Sequence, residues 1–410
     1  MADPDLLIVG GSVRAAAWCA VRAGLKVAAL DRYNDLDLLA VAEPCFNWDG
    51  SDEQVERVVG ELGVPWMYTG PLENRPDLVD RCAALAPLRG TCGEALRRVR
   101  DPFELHAALM AFAESRRTRA EALRVLDVRS ADDPPPYAPK EIRTVDFFCA
   151  SEVPLWLLKP LDSGGGAGIA VWDAAAVDHP TRERPHYFQQ IMTSGDRRGC
   201  RPVSVSADAA PGGVRLLGSC SQGPAQLLGR LHQGFRWSEA CGPGFVRRSF
   251  AAEMAEHLAM WFDLRGLFGV DLCTYAGDGD GAKASFAVVE VNPRFTATMD
   301  LLDDIRSGPT GPFGTASRTD VGVVSARRRK KVIYAKRDCR LREHRPLPIF
   351  SPDARGWVAD VPEQGAVVRA REPICTVYGS GEGIHNLRAA EVRVLTLLAP
   401  VQLRPDTSDP

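Results

Sequence analysis

The sequence predicts an α/β (α+β) protein in which a parallel-sheet domain comes first and β-rich structure follows. The chain opens with an apolar strand at Leu6–Val9, a Gly-rich turn, an Ala-rich helix, and a second strand at Lys26–Leu30. Such a β-turn-α-β unit is typical of a parallel sheet covered by helices. From about residue 154, short strands alternate with Gly-rich turns, which is typical of hairpins.

Composition and charge indicate a soluble globular protein. The chain has 410 residues, of which 45% are hydrophobic and 25% are charged, enough to form several structural units with buried cores. A net charge of -3 gives no reason to expect nucleic acid or an anionic membrane as a partner. The eleven cysteines show no zinc-ligand spacing, and no apolar run approaches the roughly 20 residues of a membrane span. We therefore expect a cytoplasmic protein with free thiols.

The chain divides into three predicted domains. The first covers residues 1–92. The second covers residues 93–320, with a helical part at 93–150 and a strand-rich part at 151–320. Short strands at residues 321–400 predict a small β-rich C-terminal domain.

The first Gly-rich turn suggests dinucleotide binding, since Asp31 ends the second strand where a ribose-binding acid would stand. The fingerprint fails, because aligning its second glycine on Gly11 places Val9 at the first glycine position. It also places Arg14 at the third, which needs a small residue. The alternative is a tight turn whose helix N-terminus, around Gly11, Ser12 and Arg14, binds an anion such as a substrate carboxylate.

A second Gly-rich turn, at residues 163–168, joins two apolar strands and is preceded by Lys159. The lysine precedes the glycines and the pattern is strand-turn-strand, so this is not a Walker P-loop. Glycines nevertheless let backbone N–H groups converge on an anion, and Lys159 would add a positive charge for a phosphate. The alternative is a structural hairpin with an incidental lysine.

An acidic hairpin favours the phosphate interpretation. Two strands, Leu267–Tyr275 and Ser285–Arg294, flank a Gly- and Asp-rich turn. If the hairpin is symmetric about the middle of that turn, Asp271 lies opposite Glu290. Asn292, two residues further on, then shares their face of the sheet.

Two facing carboxylates repel each other and need a counter-charge. Oxygen ligands from Asp271, Glu290 and Asn292 suit Mg²⁺, and Arg294 just beyond them is placed to contact a transferring phosphoryl group. The alternative is that Glu290 is a single acid neutralised by Arg294. The apolar residues around Glu290 favour the metal, because an unpaired buried acid is costly.

Taken together, these motifs resemble the ATP-grasp superfamily. The resemblance rests on Lys159-Pro160 with the Gly-rich loop Ser163–Gly168, a hinge strand at Tyr187–Met192, and the metal-binding strand end Glu290–Arg294. It implies a pre-ATP-grasp domain at 1–92, the ATP-grasp fold at 93–320, and a C-terminal domain similar to that of biotin-carboxylase relatives.

The resemblance also assigns roles to residues. Those assigned to ATP are Lys159, Ser163, Gly164, Gly165, Gly166, Gly168, Gln190, Ile191 and Met192. Asp271, Glu290 and Asn292 would hold Mg²⁺, and Arg294 would steady the acyl-phosphate. The second ATP-binding lysine of the family has no clear counterpart, and Arg100 is the candidate. The family often has Glu at the position of Gln190, which puts adenine selectivity in doubt.

The predicted function is that of an ATP-dependent carboxylate–amine ligase working through an acyl-phosphate. Its organisation is similar to ligases of methanofuran- and methylofuran-type one-carbon carriers, where glutamate is joined to tyramine or tyrosine. Arg230 and Arg236 either line the substrate pocket or belong to a solvated loop. The alternatives are a biotin-carboxylase-like subunit, an NAD(P)-dependent dehydrogenase and a non-catalytic nucleotide sensor. The expected partners are ATP and small substrates, without nucleic acid or membrane, and a homodimer remains open.

Overall fold

The computed structural model describes most of the chain. The ranges are 3–116, 122–135, 155–162, 164–172, 183–191, 201–224, 237–244, 246–275, 285–303, 311–314, 328–341, 356–363, 365–380 and 401–402. No helix within these ranges is both long enough and apolar enough to cross a bilayer.

The N-terminal part is a four-stranded parallel sheet in the order β3-β2-β1-β4, as the sequence predicts. Its elements are β1 Leu6–Gly10, α1 Arg14–Arg22, β2 Val27–Asp31, α2 Leu36–Leu39, β3 Ala42–Asn47, α3 Asp52–Leu62, β4 Trp66–Tyr68 and α4 Pro76–Leu85. The strands β1 and β2 are fully buried because helices and neighbouring elements cover both faces. Gly10 is required where β1 ends, since a Cβ there would overlap the side chain of Thr69.

A nine-stranded sheet forms the centre of the molecule, in the order β17-β19-β15-β12-β11-β10-β13-β14-β5. Its elements, with the helices beside it, are α5 Gly93–Arg100, α6 Pro102–Ser115, β5 Ala122–Arg124, β10 Arg201–Ala210, β11 Gly213–Pro224, β12 Trp237–Gly242, α7 Arg248–Phe262, β13 Gly266–Tyr275, β14 Ser285–Asn292, β15 Arg328–Tyr334, β17 Gly356–Ala359 and β19 Pro373–Ser380. The three helices pack on one face, where Phe250, Met254, Leu258 and Phe262 of α7 meet β10 and β13.

Two smaller sheets complete the structure. A four-stranded antiparallel sheet, in the order β6-β9-β7-β8, contains β6 Val128–Ser130, β7 Leu155–Pro160, β8 Ala170–Val171 and β9 His186–Ile191. A three-stranded sheet contains β16 Cys339–Arg340, β18 Val367–Val368 and β20 Val401–Gln402.

Two predictions about organisation need correction. Among the described residues of the part expected to be helical, 93–150, the last helix ends at Ser115. The strands β5 and β6 follow it, because β5 pairs in parallel with β14 and this tertiary contact overrides the local helix propensity of the sequence. The β-rich structure expected from residue 321 is present, but β15, β17 and β19 extend the central sheet through β12. The exact domain boundaries remain predictions.

Candidate active site

The strands β13 and β14 place three oxygen-bearing side chains on one face. Asp271 pairs directly with Glu290, which is the predicted register, and a β-bulge follows immediately beyond that pair. Asn292 Nδ2 donates to Asp271 Oδ2 at 2.9 Å and to Glu290 Oε1 at 3.0 Å. Gln222 on β11 also donates to Asp271, at 2.7 Å. We call Asp271, Glu290 and Asn292 the carboxylate face.

Burial and nearby charged side chains set the charges of the carboxylate face. Burial and the charge of Glu290 raise the pKa of Asp271 to about 7. Burial opposes ionisation of Glu290 as well, but Lys159 and Arg100 outweigh it and lower the pKa of that carboxyl. The pair therefore resists carrying two negative charges, and a divalent cation bound between the two carboxylates would favour their full ionisation.

Two cations from different elements reach this face. Lys159, at the end of β7, donates through Nζ to Gln189 Oε1 at 2.9 Å, and Gln189 in turn donates to the carbonyl of Val289 at 3.1 Å. Arg100, at the end of α5, donates to Asn74 Oδ1 at 3.0 Å and lies against the carbonyl of Val291. Lys159 and Arg100 line one small cavity together with Glu290. The structure thus brings together the lysine and the arginine that the sequence assigns to phosphate.

Arg294 follows the carboxylate face and is fixed by the N-terminal part of the chain. Its Nε donates to Glu73 Oε1 at 2.6 Å, and its Nη2 lies 3.3 Å from Asn292 Oδ1. Although burial disfavours the charge, Glu73 raises the pKa of the guanidinium. Gly70 permits this approach, because a Cβ there would lie 3.2 Å from Arg294 Cζ.

Residues 134–298 match the family model described as an ATP-grasp domain. The chain contains an ATP-grasp domain. That match covers the second glycine turn, Lys159, the hinge strand and the carboxylate face, so the motifs on which the resemblance rests fall inside it. It supports the predicted enzyme class. No curated protein is similar enough in sequence to count as a match.

Solved structures share the fold of nearly the whole chain. Pyruvate carboxylase from Rhizobium etli has a TM-score of 0.63 and 13% identity, over 96% of this chain but only 37% of that chain. Biotin carboxylase from Campylobacter jejuni has a TM-score of 0.61 and 13% identity, over 97% of this chain and 92% of that chain. L-amino acid ligase from Bacillus licheniformis has a TM-score of 0.61 and 12% identity, over 98% of this chain and 100% of that chain. These likenesses confirm the predicted ATP-grasp fold behind a parallel-sheet domain.

The Gly-rich turn of the ATP-grasp domain forms the predicted hairpin, in which Leu157 pairs with Val171. Gly165, Gly166 and Gly168 have positive φ, which a residue with a side chain rarely adopts. Gly164 and Gly165 line a large cavity together with Arg294. Ser163, the remaining predicted member of this loop, lies outside the described residues.

The hinge strand of the ATP-grasp domain differs in detail from the prediction. The backbone N–H of Gln190 donates a hydrogen bond to the carbonyl of Asp127, at 2.8 Å. Its neighbour Gln189 contacts Lys159 instead, since consecutive residues of a strand face opposite sides of the sheet. The backbone of Ile191 pairs with β7, whereas its side chain and Met192 lie outside what the structure describes.

The large cavity, of about 670 Å³, lies where the N-terminal sheet, the glycine turn and the C-terminal strands meet. Its wall includes Ser12, Arg14, Arg32, Tyr33, Asp35, Thr69, Glu73, Arg294, Val332, Asp360 and Ile374. Its volume falls within the range typical of small-molecule sites. A position beyond the carboxyl ends of parallel strands is also where ligands usually bind in such sheets.

Among the predicted substrate residues, Arg14 lines the cavity. Its guanidinium also donates to both carboxylate oxygens of Asp360, at 2.8 and 3.2 Å, and to the hydroxyl of Tyr378. Its charge is therefore compensated within the protein, and a role in substrate binding stays a prediction. Ser12 lines the cavity, whereas Gly11 donates its N–H to the carbonyl of Gly70 at 2.7 Å. Arg230 and Arg236 lie outside the described residues.

Asp31, the acid of the dinucleotide alternative, has a structural role. Its Oδ2 accepts from the N–H of Val13 at 2.7 Å, and its Oδ1 accepts from the N–H groups of Tyr33 and Asn34. Both oxygens therefore hold the turns around β2 in place. The geometry gives no support to ribose binding by this carboxylate.

Sequence reasoning missed Glu73, which is 1% exposed and provides the hydrogen bond that fixes Arg294. We expect Glu73→Gln to lower the free energy of unfolding by about 3 kcal/mol, because it leaves a buried guanidinium without its counter-charge. The loss of orientation at Arg294 should reduce kcat by about 10- to 100-fold. Urea unfolding and steady-state kinetics measure the two effects.

The matched control is Glu61→Gln, which removes a carboxylate paired with Arg57 on the exposed surface of α3. It should change stability by less than about 0.5 kcal/mol and leave kcat unchanged. An unchanged kcat in Glu73→Gln would show that Arg294 does not depend on Glu73 for its position.

Proposed function

We propose that this chain is an ATP-dependent carboxylate–amine ligase that forms an amide bond through an acyl-phosphate. The observation that carries the proposal is the position of Arg294. It lies 3.3 Å from Asn292 of the carboxylate face, and it also lines the large cavity. A fixed arginine between a cation site and a substrate cavity is suited to stabilise a phosphoryl group in transfer.

Mg²⁺ is the cation that suits the carboxylate face. Asp271 and Glu290 offer carboxylate oxygens, and half a turn of the Asn292 amide would present its Oδ1 beside them. Few protein oxygens, completed by water and phosphates, are the coordination that Mg²⁺ prefers. When bound, it would neutralise charge on the phosphates of ATP.

The residues around this face would bind and orient the reactants. Lys159 and Arg100 would neutralise the phosphates, and Arg294 would hold the acyl-phosphate that forms when a substrate carboxylate attacks the γ-phosphorus. Gly164 and Gly165, on the cavity wall, would cover the reactants and exclude water. ADP is the leaving group of that first step. The amine, in its neutral form, then attacks the acyl carbon, inorganic phosphate leaves and the nitrogen gives up a proton. Positioning and charge neutralisation are sufficient for this chemistry.

Within this class, we propose glutamate as the carboxylate and tyramine or tyrosine as the amine, in the synthesis of a methanofuran- or methylofuran-type carrier. The sequence resemblance supports this substrate pair. The cavity wall is compatible with it, since Arg32 and Arg294 can bind carboxylates and Tyr33, Val332 and Ile374 can pack against an aromatic ring.

The alternative is a carboxylase, a class to which two of the structural neighbours belong by name. ADP release should be measured with a panel of amino acids and amines, with and without bicarbonate. A ligase releases ADP only when a carboxylate and an amine are both present. Dependence on bicarbonate would establish the carboxylase instead, and the absence of turnover with every pair would support a nucleotide sensor.

A further inference from the structure

One carboxylate in the large cavity, that of Asp35, has no role in the proposed binding of ATP, Mg²⁺ or the acyl-phosphate. Asp35 follows β2, is only 5% exposed, and lines the cavity. No described group donates a hydrogen bond to its carboxylate, although Asp35 precedes α2 and could have capped that helix. A buried carboxylate without a donor is costly for a fold, so its presence requires an explanation.

The neighbours of Asp35 add negative charge instead of neutralising it. Burial and the charges of Asp360, Asp37 and Asp31 raise the pKa of Asp35 to about 9. The cation that acts on it, Arg14, is already bound to Asp360 and lies 3.5 Å from Asp37. Asp35 therefore stays protonated near neutral pH unless a further positive charge enters this corner of the cavity.

The corner is held rigidly. The N–H of Leu36 donates to the carbonyl of Val361 at 2.8 Å. Asp37 accepts from the N–H groups of Asp360 and Val361, at 3.1 and 2.8 Å. The loop after β2 and the turn after β17 are thus joined, so Asp35 cannot easily move to find a partner of its own.

The missing charge is better supplied by an organic cation than by a metal ion. Apolar side chains lie on the same cavity wall, including Val332, Val368 and Ile374. An ammonium group on an apolar or aromatic body matches both features.

We propose that Asp35 binds the ammonium group of the amine substrate, a primary amine with an aromatic or apolar body. This inference rests on the proposed ligase function and deepens it. Asp35 shares its cavity with Arg294, so the amine would be held in the same space as the acyl-phosphate. Asp35 is therefore a specificity-determining residue of the second substrate.

The test uses the full chain and its Asp35→Asn variant, with tyramine as the probe and 4-ethylphenol as the same body without the ammonium. Calorimetry should show tyramine binding at least about tenfold weaker in the variant, because a charged hydrogen bond is lost. Binding of 4-ethylphenol should be unchanged. Glu363→Gln removes an exposed carboxylate from the same cavity wall and should alter tyramine binding by less than about threefold.

Two further measurements separate binding from folding. The Tm of Asp35→Asn should equal or exceed that of the wild type, because the variant removes a carboxylate that has no donor. Hydroxylamine, which does not need an ammonium site, should trap the acyl-phosphate of both proteins at the same rate.

The outcomes distinguish this inference from the function on which it rests. If tyramine fails to bind the wild type, or binds both proteins equally, the inference is wrong while acyl-phosphate trapping can still support the ligase. A Tm lowered by several degrees would give Asp35 a structural role and would also overturn the inference. If no carboxylate yields a trapped acyl-phosphate in the wild type, the ligase proposal itself fails.

Discussion

Glu290→Gln is expected to lower kcat by about 10³-fold and to raise the Mg²⁺ concentration needed for half-maximal activity. Glu290 faces Asp271 directly and is the member of the pair held in its charged form by Lys159 and Arg100. Its amide analogue keeps the shape but loses the charge that binds the cation. ADP release across a range of Mg²⁺ concentrations measures both effects.

The fold should tolerate this substitution. Removing the charge of Glu290 relieves its repulsion with Asp271 but also removes a partner of Lys159 and Arg100, so the Tm without Mg²⁺ should fall by a few degrees while the protein stays folded. Glu94→Gln, on the exposed surface of α5, is the matched control and should leave both kcat and the Mg²⁺ requirement unchanged. Retained activity with an unaltered Mg²⁺ requirement in Glu290→Gln would refute the metal assignment.

Lys159→Met is expected to raise the KM for ATP by about 100-fold, in line with the 1.5–3 kcal/mol of a charged hydrogen bond. Lys159 is 3% exposed, lies at the end of β7, and lines the same small cavity as Arg100 and Glu290. Methionine keeps the length and apolar stem of the lysine while removing its charge. Initial rates at varied ATP measure the change.

Lys26→Met, on the exposed turn before β2, is the matched control and should leave the KM for ATP unchanged. The Tm of each variant shows whether the fold is intact. A KM within about twofold of the wild type in a folded Lys159→Met protein would mean that Lys159 belongs to a structural hairpin and does not bind phosphate.

The carboxylate face could be predicted because it depends on local pairing. A hairpin fixes its own register through its turn, and the alternation of side chains then places Asp271, Glu290 and Asn292 on one face. The bulge lies between the turn and this pair and shifts the register by one residue: Leu272 pairs with Val288, whereas Asp271 pairs with Glu290.

The parts that could not be predicted depend on contacts between distant segments. Glu73 and Arg294 are 221 positions apart, and Arg14 and Asp360 are 346 apart, and no local pattern links either pair. The sequence also did not show which of Gln189 and Gln190 contacts Lys159, and the reason for this is different. Neighbouring residues of a strand point to opposite faces, and the sequence of β9 alone does not show which face meets Lys159.

The most direct test of the acyl-phosphate mechanism follows the oxygen atoms of the carboxylate. The substrate that supports ADP release should be labelled with ¹⁸O in its carboxyl group, and the inorganic phosphate should be analysed by mass spectrometry. The proposed mechanism predicts one ¹⁸O in phosphate for each amide formed, because one carboxylate oxygen leaves with the phosphoryl group. Amide formation with unlabelled phosphate would contradict it.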